Sequence, residues 1–416
     1  MIFVPYSDES DVINMIKKVR NENFALIRLT DTMVGKNNID VNGDFAGLLL
    51  ESGIVDFLEL DNGGNNGIVC NAIFVHSGAS DVVKIKFYKV ANERGDRRFS
   101  IETLKRKVQD RLLNVGDLVY FSIFKDRYGV TQIFFVDLTH NVPTEQELID
   151  AIGIDPINEL FTQIKPRIRD IISAGYHNNS KGAGAIAPKD VGDTLESLLD
   201  IGTNNRENAD YGGLIELKAK GGSRTLDTLF TLRPCFEGTS IAVYEPNDRN
   251  RVSAFARYYG YESEKHPNCK SLYITVGSKE APQNTKGFFL DVVDDDRKVC
   301  LKHVDNNKVE VAAFWNYDEL RKQLELKHPS TLWFKAKSRN CGDMVQFKYT
   351  EVEFTRTPQF TTFLTLIKSG KITYDWRGYT SISGKYSGKN HGNAWRIKPE
   401  YKKELFGESE KVEFNE

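Results

Sequence analysis

The chain has 416 residues, of which 40% are hydrophobic and 27% charged, and its formal net charge is −2. That length suits two domains of ordinary size, that composition is that of a soluble globular protein and argues against disorder, and that balance confines any nucleic-acid affinity to local patches. The five cysteines, Cys70, Cys235, Cys269, Cys300 and Cys341, form no C-x-x-C pair and are odd in number, which argues against a zinc site or a secreted disulfide framework and for a reducing compartment.

The opening "MIFVPYSDESDV" lacks a basic start and a long apolar run, and no apolar stretch approaches the roughly 20 residues of a membrane span. A cytoplasmic protein with no membrane insertion is expected. The first part then reads as strands: "NFALIRL", "GIVCNAIFVHSG", "VVKIKFYKV", "DLVYFSIF" and "GVTQIFFVDL", rich in Val, Ile, Phe and Tyr and separated by Gly, Asn and Asp. This predicts a mostly β domain over 1–150, with a linker at about 140–155 where "THNVPTEQELIDAIGIDP" turns polar and then helical.

A second domain, 156–416, opens with helical spacing in "INELFTQIKPRIRDIISAGY", where Pro166 is expected to kink or end the helix. In "KDVGDTLESLLDIG" the pattern predicts a helix capped by Asp193 and closed by Gly202, with Leu195, Leu198 and Leu199 on one face. Further strands are expected in "SLYITVG", "GFFLDVV", "TLWFKAK" and "MVQFKYTEVEF". The second domain is therefore mixed α/β.

Between that helix and those strands lies "ADYGGLIELKAKGG". In a strand Glu216 and Lys218 share one face while Ile215 and Leu217 take the other. Asp210 stands six residues before Glu216, and Gly212 and Gly213 allow a bend that carries its carboxylate back. Two such carboxylates suit Mg²⁺ with room for water and a phosphate oxygen, and a neighbouring lysine would orient or activate the water. A half-exposed strand whose charges merely face solvent has the same pattern.

From Arg356 to Lys398 there are eight Lys or Arg and a single acid, Asp375. Arg377 is suited to paired hydrogen bonds with guanine, Asp375 to a cytosine amino group, and Lys385, Lys389 and Arg396 to phosphates. Trp376, Tyr379 and Tyr386 would pack on sugar or base. A solvated basic face over core aromatics is the competing reading.

The blocks "GDTLESLLDIGTNNRENADYGGLIELKAK", "SRTLDTLFTLRP" and "YDWRGYTSISGKYSGKNHGNAWRI" resemble the catalytic domain of MvaI/BcnI-type restriction endonucleases, over about 155–410. The resemblance implies a PD-(D/E)xK nuclease fold of the MutH/MvaI kind. It further implies Mg²⁺ held by Asp210 and Glu216, Lys218 serving the water, Glu196 supporting the site, and Asp375, Arg377 and His391 reading base edges. It implies a type II enzyme that acts as a monomer on double-stranded DNA, cutting one strand at a time, with a cognate DNA methyltransferase in the host.

The amino-terminal half has its own basic stretch: Lys84 to Arg111 holds ten Lys or Arg against four acids, with "NERGDRR" as an arm-like loop. A solvated charged loop is its plain reading. The runs "RLTDTMVGKNNIDVNGDFAGLLLESGIVDFL", "FYKVANERGDRRFS" and "GDLVYFS" are similar to the amino-terminal domain of EcoRII-type enzymes, over about 20–140. That implies a B3-like pseudobarrel gripping DNA between two arms, one with Lys36, Asn37 and Asn38, the other with Asn92, Arg94, Asp96 and Arg98. CC(A/T)GG is the site both resemblances share. A MutH-like nickase and a catalytically silent DNA-binding protein remain as alternatives. No G-x₄-G-K-[ST] stretch supports an NTPase.

Overall fold

The computed structural model describes residues 4–92, 94–126, 128–184, 187–202, 208–222, 225–306, 308–407 and 409–413. The chain divides into two compact units, Met1–Glu159 and Leu160–Glu416. Parts of the quoted blocks, Glu93 in "NERGDRR" and residues 203–207 and 223–224 beside the motif strand, lie outside the described residues.

In the first unit, period-2 runs of β-branched and aromatic residues form β1 (Phe24–Arg28), β2 (Ile39–Asp40), β3 (Ile68–His76), β4 (Ala79–Lys89), β5 (Arg97–Ile101), β6 (Leu118–Lys125) and β7 (Thr131–Asp137). They make one sheet in the order β1-β6-β7-β3-β4-β5-β2, with β3 and β7 parallel and the other neighbours antiparallel. Ile27 on one outer strand and Ile39 on the other share a buried cluster with Phe45, Phe87, Phe99 and Phe121. A flat seven-stranded sheet could not bring both edges to one core, so the sheet curls into a half-barrel.

Helices α1 (Ser7–Val19), α2 (Asp31–Lys36), α3 (Gly43–Glu51), α4 (Leu104–Gln109) and α5 (Glu145–Ile152) accompany it. Phe45 and Leu49 of α3 plug the inner cluster, and Asn42 caps that helix by accepting from Phe45 N at 2.9 Å. On the opposite face Ile13, Ile16 and Val19 of α1 and Leu148 and Ile152 of α5 cover Tyr120, Phe134 and Val136.

Next comes α6 (Pro156–Ser173), which runs unbroken through Pro166 rather than ending there. Its buried Ile164, Ile168 and Ile171 recur at helical spacing on both sides of the proline.

The second unit continues with β8 (His177–Asn178), α7 (Asp190–Leu198), β9 (Glu216–Gly221), β10 (Asp227–Phe230), α8 (Ser240–Tyr244), α9 (Arg251–Tyr259), β11 (Tyr261–Glu262) and β12 (Cys269–Val276). Then follow β13 (Phe288–Val293), β14 (Lys298–Asp305), β15 (Lys308–Asn316), α10 (Tyr317–Lys327), β16 (Ser330–Cys341), β17 (Met344–Arg356) and α11 (Phe360–Lys368). Last are β18 (Ile372–Ser381), β19 (Gly388–Asn390), β20 (Ala394–Ile397), α12 (Lys402–Phe406) and β21 (Glu410–Lys411).

Three sheets result. One has the order β10-β20-β18-β12-β11 with β19 on β18, the second is β13-β14-β15, and the third is β21-β17-β16-β9 with β8 on β17. Strand β9 lies at the edge of the third sheet, parallel to β16. A core of Trp315, Trp376, Trp395, Tyr374, Phe255 and Phe363 joins β18, β20 and β15 to α9 and α11.

Helix α7 starts earlier than the sequence suggests. Asp190, not Asp193, serves its first turn, accepting from Ala187 N and Asn179 Nδ2, each at 3.0 Å. Asp193 sits inside the helix between Lys181 and Lys189, both at 3.2 Å, and the helix ends at Leu198, ahead of Gly202.

Candidate active site and nucleic-acid interface

A reversed turn builds the acid and lysine cluster. Tyr211 N donates to Ile215 O at 2.9 Å and Ile215 N to Tyr211 O at 3.0 Å, while Gly212 and Gly213 take left-handed φ of 59° and 74°. A Cβ on Gly212 would also lie 2.6 Å from Leu160 Cδ1, so both conformation and space require glycine there. The turn swings Asp210 back, and its Oδ2 accepts from Leu217 N at 2.9 Å. Ser330 Oγ secures the turn by donating to Leu214 O at 2.7 Å.

Strand β9 then begins with Glu216, opposite Thr331 of β16, and sets Lys218 opposite Trp333. Glu216 is 2% exposed. Its Oε1 accepts from Lys218 Nζ at 2.5 Å. Its buried Oε2 has no hydrogen bond, and Lys327 Nζ lies 3.9 Å from it. Lys327 Nζ also donates to Asn208 O at 3.2 Å, so one side chain of α10 ties the approach to Asp210 to the start of β9.

Charge is unevenly shared in this cluster. Burial raises the Glu216 carboxyl above its ordinary value and Asp210 adds to the rise, with Lys218 and Lys327 opposing. Burial likewise raises Glu196 on α7, helped by Asp210, Asp193 and Glu216. For Lys218 burial works downward, but Glu216, Asp210 and Glu196 outweigh it and hold the ammonium above its usual range. Glu196, Asp210, Glu216 and Lys218 thus act on one another electrostatically, as acids in excess of base.

The oxygen-only donor set and the orphaned Glu216 Oε2 fit a hard divalent cation. Asp210 and Glu216 are the residues that could hold it. Among the described residues no group of three or more His, Cys, Asp or Glu is arranged to hold a metal ion.

Sequence reasoning missed His328. It is fully buried beside this cluster, and burial together with Lys218 pushes its pKa down to about 3. As a neutral ring it donates from Nε2 to Leu229 O at 3.0 Å and accepts at Nδ1 from Thr331 Oγ1 at 2.8 Å. No local pattern in "LKHPS" marks this role.

The basic block of the carboxy-terminal end forms a different surface. On β18 the alternation sends Tyr374 and Trp376 into the core and sets Asp375, Arg377 and Tyr379 on the other face. Asp375 is 0% exposed. Its Oδ1 accepts from Thr275 Oγ1 at 2.6 Å, and its Oδ2 lies 2.6 Å from both Arg377 Nη2 and Arg396 Nε. Neither arginine is aligned as a hydrogen bond to Oδ2, so both contacts are ion pairs.

As it stands, Asp375 is withdrawn from any base edge and orients two arginines, and Arg396 faces Asp375 rather than standing free for a phosphate. Arg377 has a 45% exposed side chain, and its backbone N donates to Asn393 Oδ1 at 2.9 Å. His391 joins the same face, with its ring 6.0 Å from Tyr273 and 6.4 Å from Tyr379, and its N donates to Arg377 O at 2.9 Å. Burial, Lys389, His266, Lys265 and Arg377 keep this imidazole below its ordinary value. Lys389 pairs with Tyr379 across the ladder, and both it and Lys385 are exposed.

Trp376 does not reach solvent: it is 1% exposed and stacked on Phe255 at 3.9 Å. Tyr386 lies under Arg257 at 3.8 Å.

In the first unit the pairing of β2 with β5 brings both expected arms to one sheet edge, where Asp40 faces Arg98 at 3.0 Å. Several of the named side chains are occupied there. Asn37 spends its amide on Ile101, with Nδ2 to O at 2.8 Å and Oδ1 from N at 3.1 Å. Asn38 accepts from Tyr88. Asn92 closes its own loop onto Gly95 N and Asp96 Oδ2, and Asp96 lies 3.9 Å from Arg98. Lys36 and Arg94 are exposed.

The profile of the MvaI/BcnI restriction endonuclease family matches residues 165–406. No curated protein matches the chain. Among solved structures, the MvaI–cognate DNA substrate complex is 23% identical, covers 61% of this chain and 98% of that one, and superposes with a TM-score of 0.51, which marks a shared fold. MvaI in the absence of DNA has the same identity and coverage with a TM-score of 0.38. An Arabidopsis FUS3–DNA complex is 16% identical over 27% of this chain and 93% of that one, with a TM-score of 0.19.

Proposed function

Because the chain belongs to the MvaI/BcnI restriction endonuclease family, we propose that it is a type II enzyme that hydrolyses double-stranded DNA with Mg²⁺ at 5′-CC(A/T)GG. It cuts after the second C, one strand at a time, as a monomer with one active site. The observation that carries this reading is the meeting of Asp210, Glu216 and Lys218 through the Gly212–Gly213 reversal. The solved MvaI–cognate DNA substrate complex supports double-stranded DNA as the partner, and a host methyltransferase would protect the same site.

Asp210 and Glu216 would hold the cation, which supplies charge against the phosphate and a more acidic water. Lys218 keeps its proton, since three carboxylates outweigh its burial. From Nζ it donates toward water or a phosphate oxygen and offsets charge there. Glu196, raised above its ordinary value by burial and by Asp210, Asp193 and Glu216, supports the site from α7.

Over the bases Arg377 offers two parallel donors to guanine, with Asp375 fixing its plane and His391 beside it. Lys385 and Lys389 meet phosphates. The first unit acts as a B3-like reader of the same site, its exposed Lys36 and Arg94 flanking Arg98 at the β2–β5 edge.

The test is digestion of a sequenced plasmid with Mg²⁺ and with EDTA, followed by run-off sequencing of both strands. Mg²⁺-dependent linear product broken only at CC(A/T)GG, through an open-circle intermediate, is expected. Accumulation of open circle alone would indicate a nickase, and an intact plasmid bound tightly would indicate a silent DNA-binding protein.

A further inference from the structure

Between β18 and β19 the chain makes a hairpin, residues 381–390, that carries Lys385 and Lys389. Eight of those ten residues are exposed, Ser381 and Tyr386 being the exceptions. Burial therefore does little to hold it, and an unsupported loop of this composition would sample many conformations. Within it Ser381 Oγ donates to Lys385 O at 2.6 Å, and Ser381 N donates to Ser387 O at 2.7 Å. Ile382 N reaches Asn268 O at 3.2 Å.

Residues 388–390 pair with 378–380 of β18, and for the rest of the loop the main hold comes from one side chain of α9. Arg257 Nε donates to Ser381 O at 2.7 Å, and its Nη2 donates to Ser381 Oγ at 3.2 Å and to Gly384 O at 3.1 Å. Its guanidinium plane covers the Tyr386 ring, centred 3.8 Å away, and the Tyr386 hydroxyl donates to Glu245. Three of its five donors and one face are thus spent on the hairpin, leaving this arginine less well placed than Lys385 or Lys389 to serve as a phosphate ligand itself.

We infer that Arg257 is a positioning residue for DNA: it locks the hairpin in the one shape that presents Lys385 and Lys389 to phosphates beside the Arg377 face. The inference rests on the nuclease reading above and assigns a role to a residue that acts through the hairpin. Holding two phosphate ligands in advance spares their ordering on binding, so the effect falls on affinity and on its salt dependence.

The experiment measures binding of a CCAGG duplex by the full chain in Ca²⁺ across a salt series, alongside steady-state cleavage in Mg²⁺. Arg257→Met should weaken binding about tenfold and flatten the slope of log K against log salt by about 1 to 2. Apparent KM should rise correspondingly while kcat falls less than about threefold. Arg257→Lys keeps the charge but lacks the fork, and should behave like Arg257→Met. Ser381→Ala, which leaves α9 untouched, should give a smaller change of the same sign.

An unaltered salt slope in Arg257→Met, or a fall in kcat and melting temperature in place of affinity, overturns the inference. If Lys385→Ala/Lys389→Ala binds as wild type does, the hairpin has no role and the inference fails while the nuclease reading stands. If wild type binds no duplex at all, both fail.

Discussion

Two buried carboxylates in the second unit invite comparison. Glu216 and Asp375 are 2% and 0% exposed, and each has a cationic nitrogen 2.5 to 2.6 Å from an oxygen. Around Glu216 the acids Asp210 and Glu196 add negative charge, and Lys327 stands no closer than 3.9 Å to its Oε2. Around Asp375 two arginines share one oxygen and Thr275 fills the other. The same burial therefore yields opposite demands: the first cluster is short of a cation, the second presents surplus donors toward an acceptor-rich partner. The cluster proposed to cut and the face proposed to read thus differ in charge balance as well as in position.

If that separation holds, the strongest single effect is Lys218→Ala, expected to reduce plasmid cleavage about 10³-fold or more. Duplex affinity by fluorescence anisotropy should stay within a few-fold. A parallel loss of binding would mean that the two clusters work as one. Asp375→Ala comes next, since it strands two cations against a buried wall and should cost about 3 kcal/mol, read as loss of specific binding and a lower melting temperature.

Arg377→Ala leaves Asp375 paired with Arg396, so discrimination at one base pair should drop by about 1 to 3 kcal/mol with folding intact. Competition between duplexes that differ at that pair measures it. His328 sharpens the catalytic side. Its pKa is depressed to about 3 in the folded state, so protons bind the unfolded chain first. Stability is fully present above about pH 6.5 and is lost as pH falls, by about 2 kcal/mol at pH 5. Urea unfolding at pH 7 and pH 5 should show this, with a flatter profile for His328→Gln. Smallest is Arg94→Ala in the first unit, expected to weaken all duplexes by less than about 1 kcal/mol without altering discrimination.

Much of this was legible in the sequence where signals are local. The strands Ile68–His76, Leu118–Lys125 and Ser330–Cys341 were visible as β-branched and aromatic runs, and the D-x₅-E-x-K spacing with its paired glycines pointed to the turn that the coordinates contain. What stayed hidden depends on partners far along the chain. Thr275 meets Asp375 across 100 residues and Asn37 meets Ile101 across 64. Lys327 approaches Glu216 only because α10 leads into β16. The helix Ser7–Val19 is hidden for another reason: its apolar face consists of few residues, Ile13, Ile16 and Val19, among many polar ones. Asp193 was taken for a cap because a four-residue shift in helix start keeps the same apolar face.

The place of Glu216–Gly221 at a sheet edge also matters for how the protein behaves in concentrated solution. An outer strand offers unpaired backbone groups on which a neighbouring molecule can build, and natural chains discourage this with lysines and with local capping of the edge. Here Lys218 and Lys220 stand along the strand, and the carboxylate of Asp210 occupies the amide of Leu217. The groups assigned to chemistry thus double as guards against stacking of one chain on the next. A variant disarmed by removing Lys218 would be both inert and less colloidally stable, whereas one disarmed at Glu216 would keep its guard.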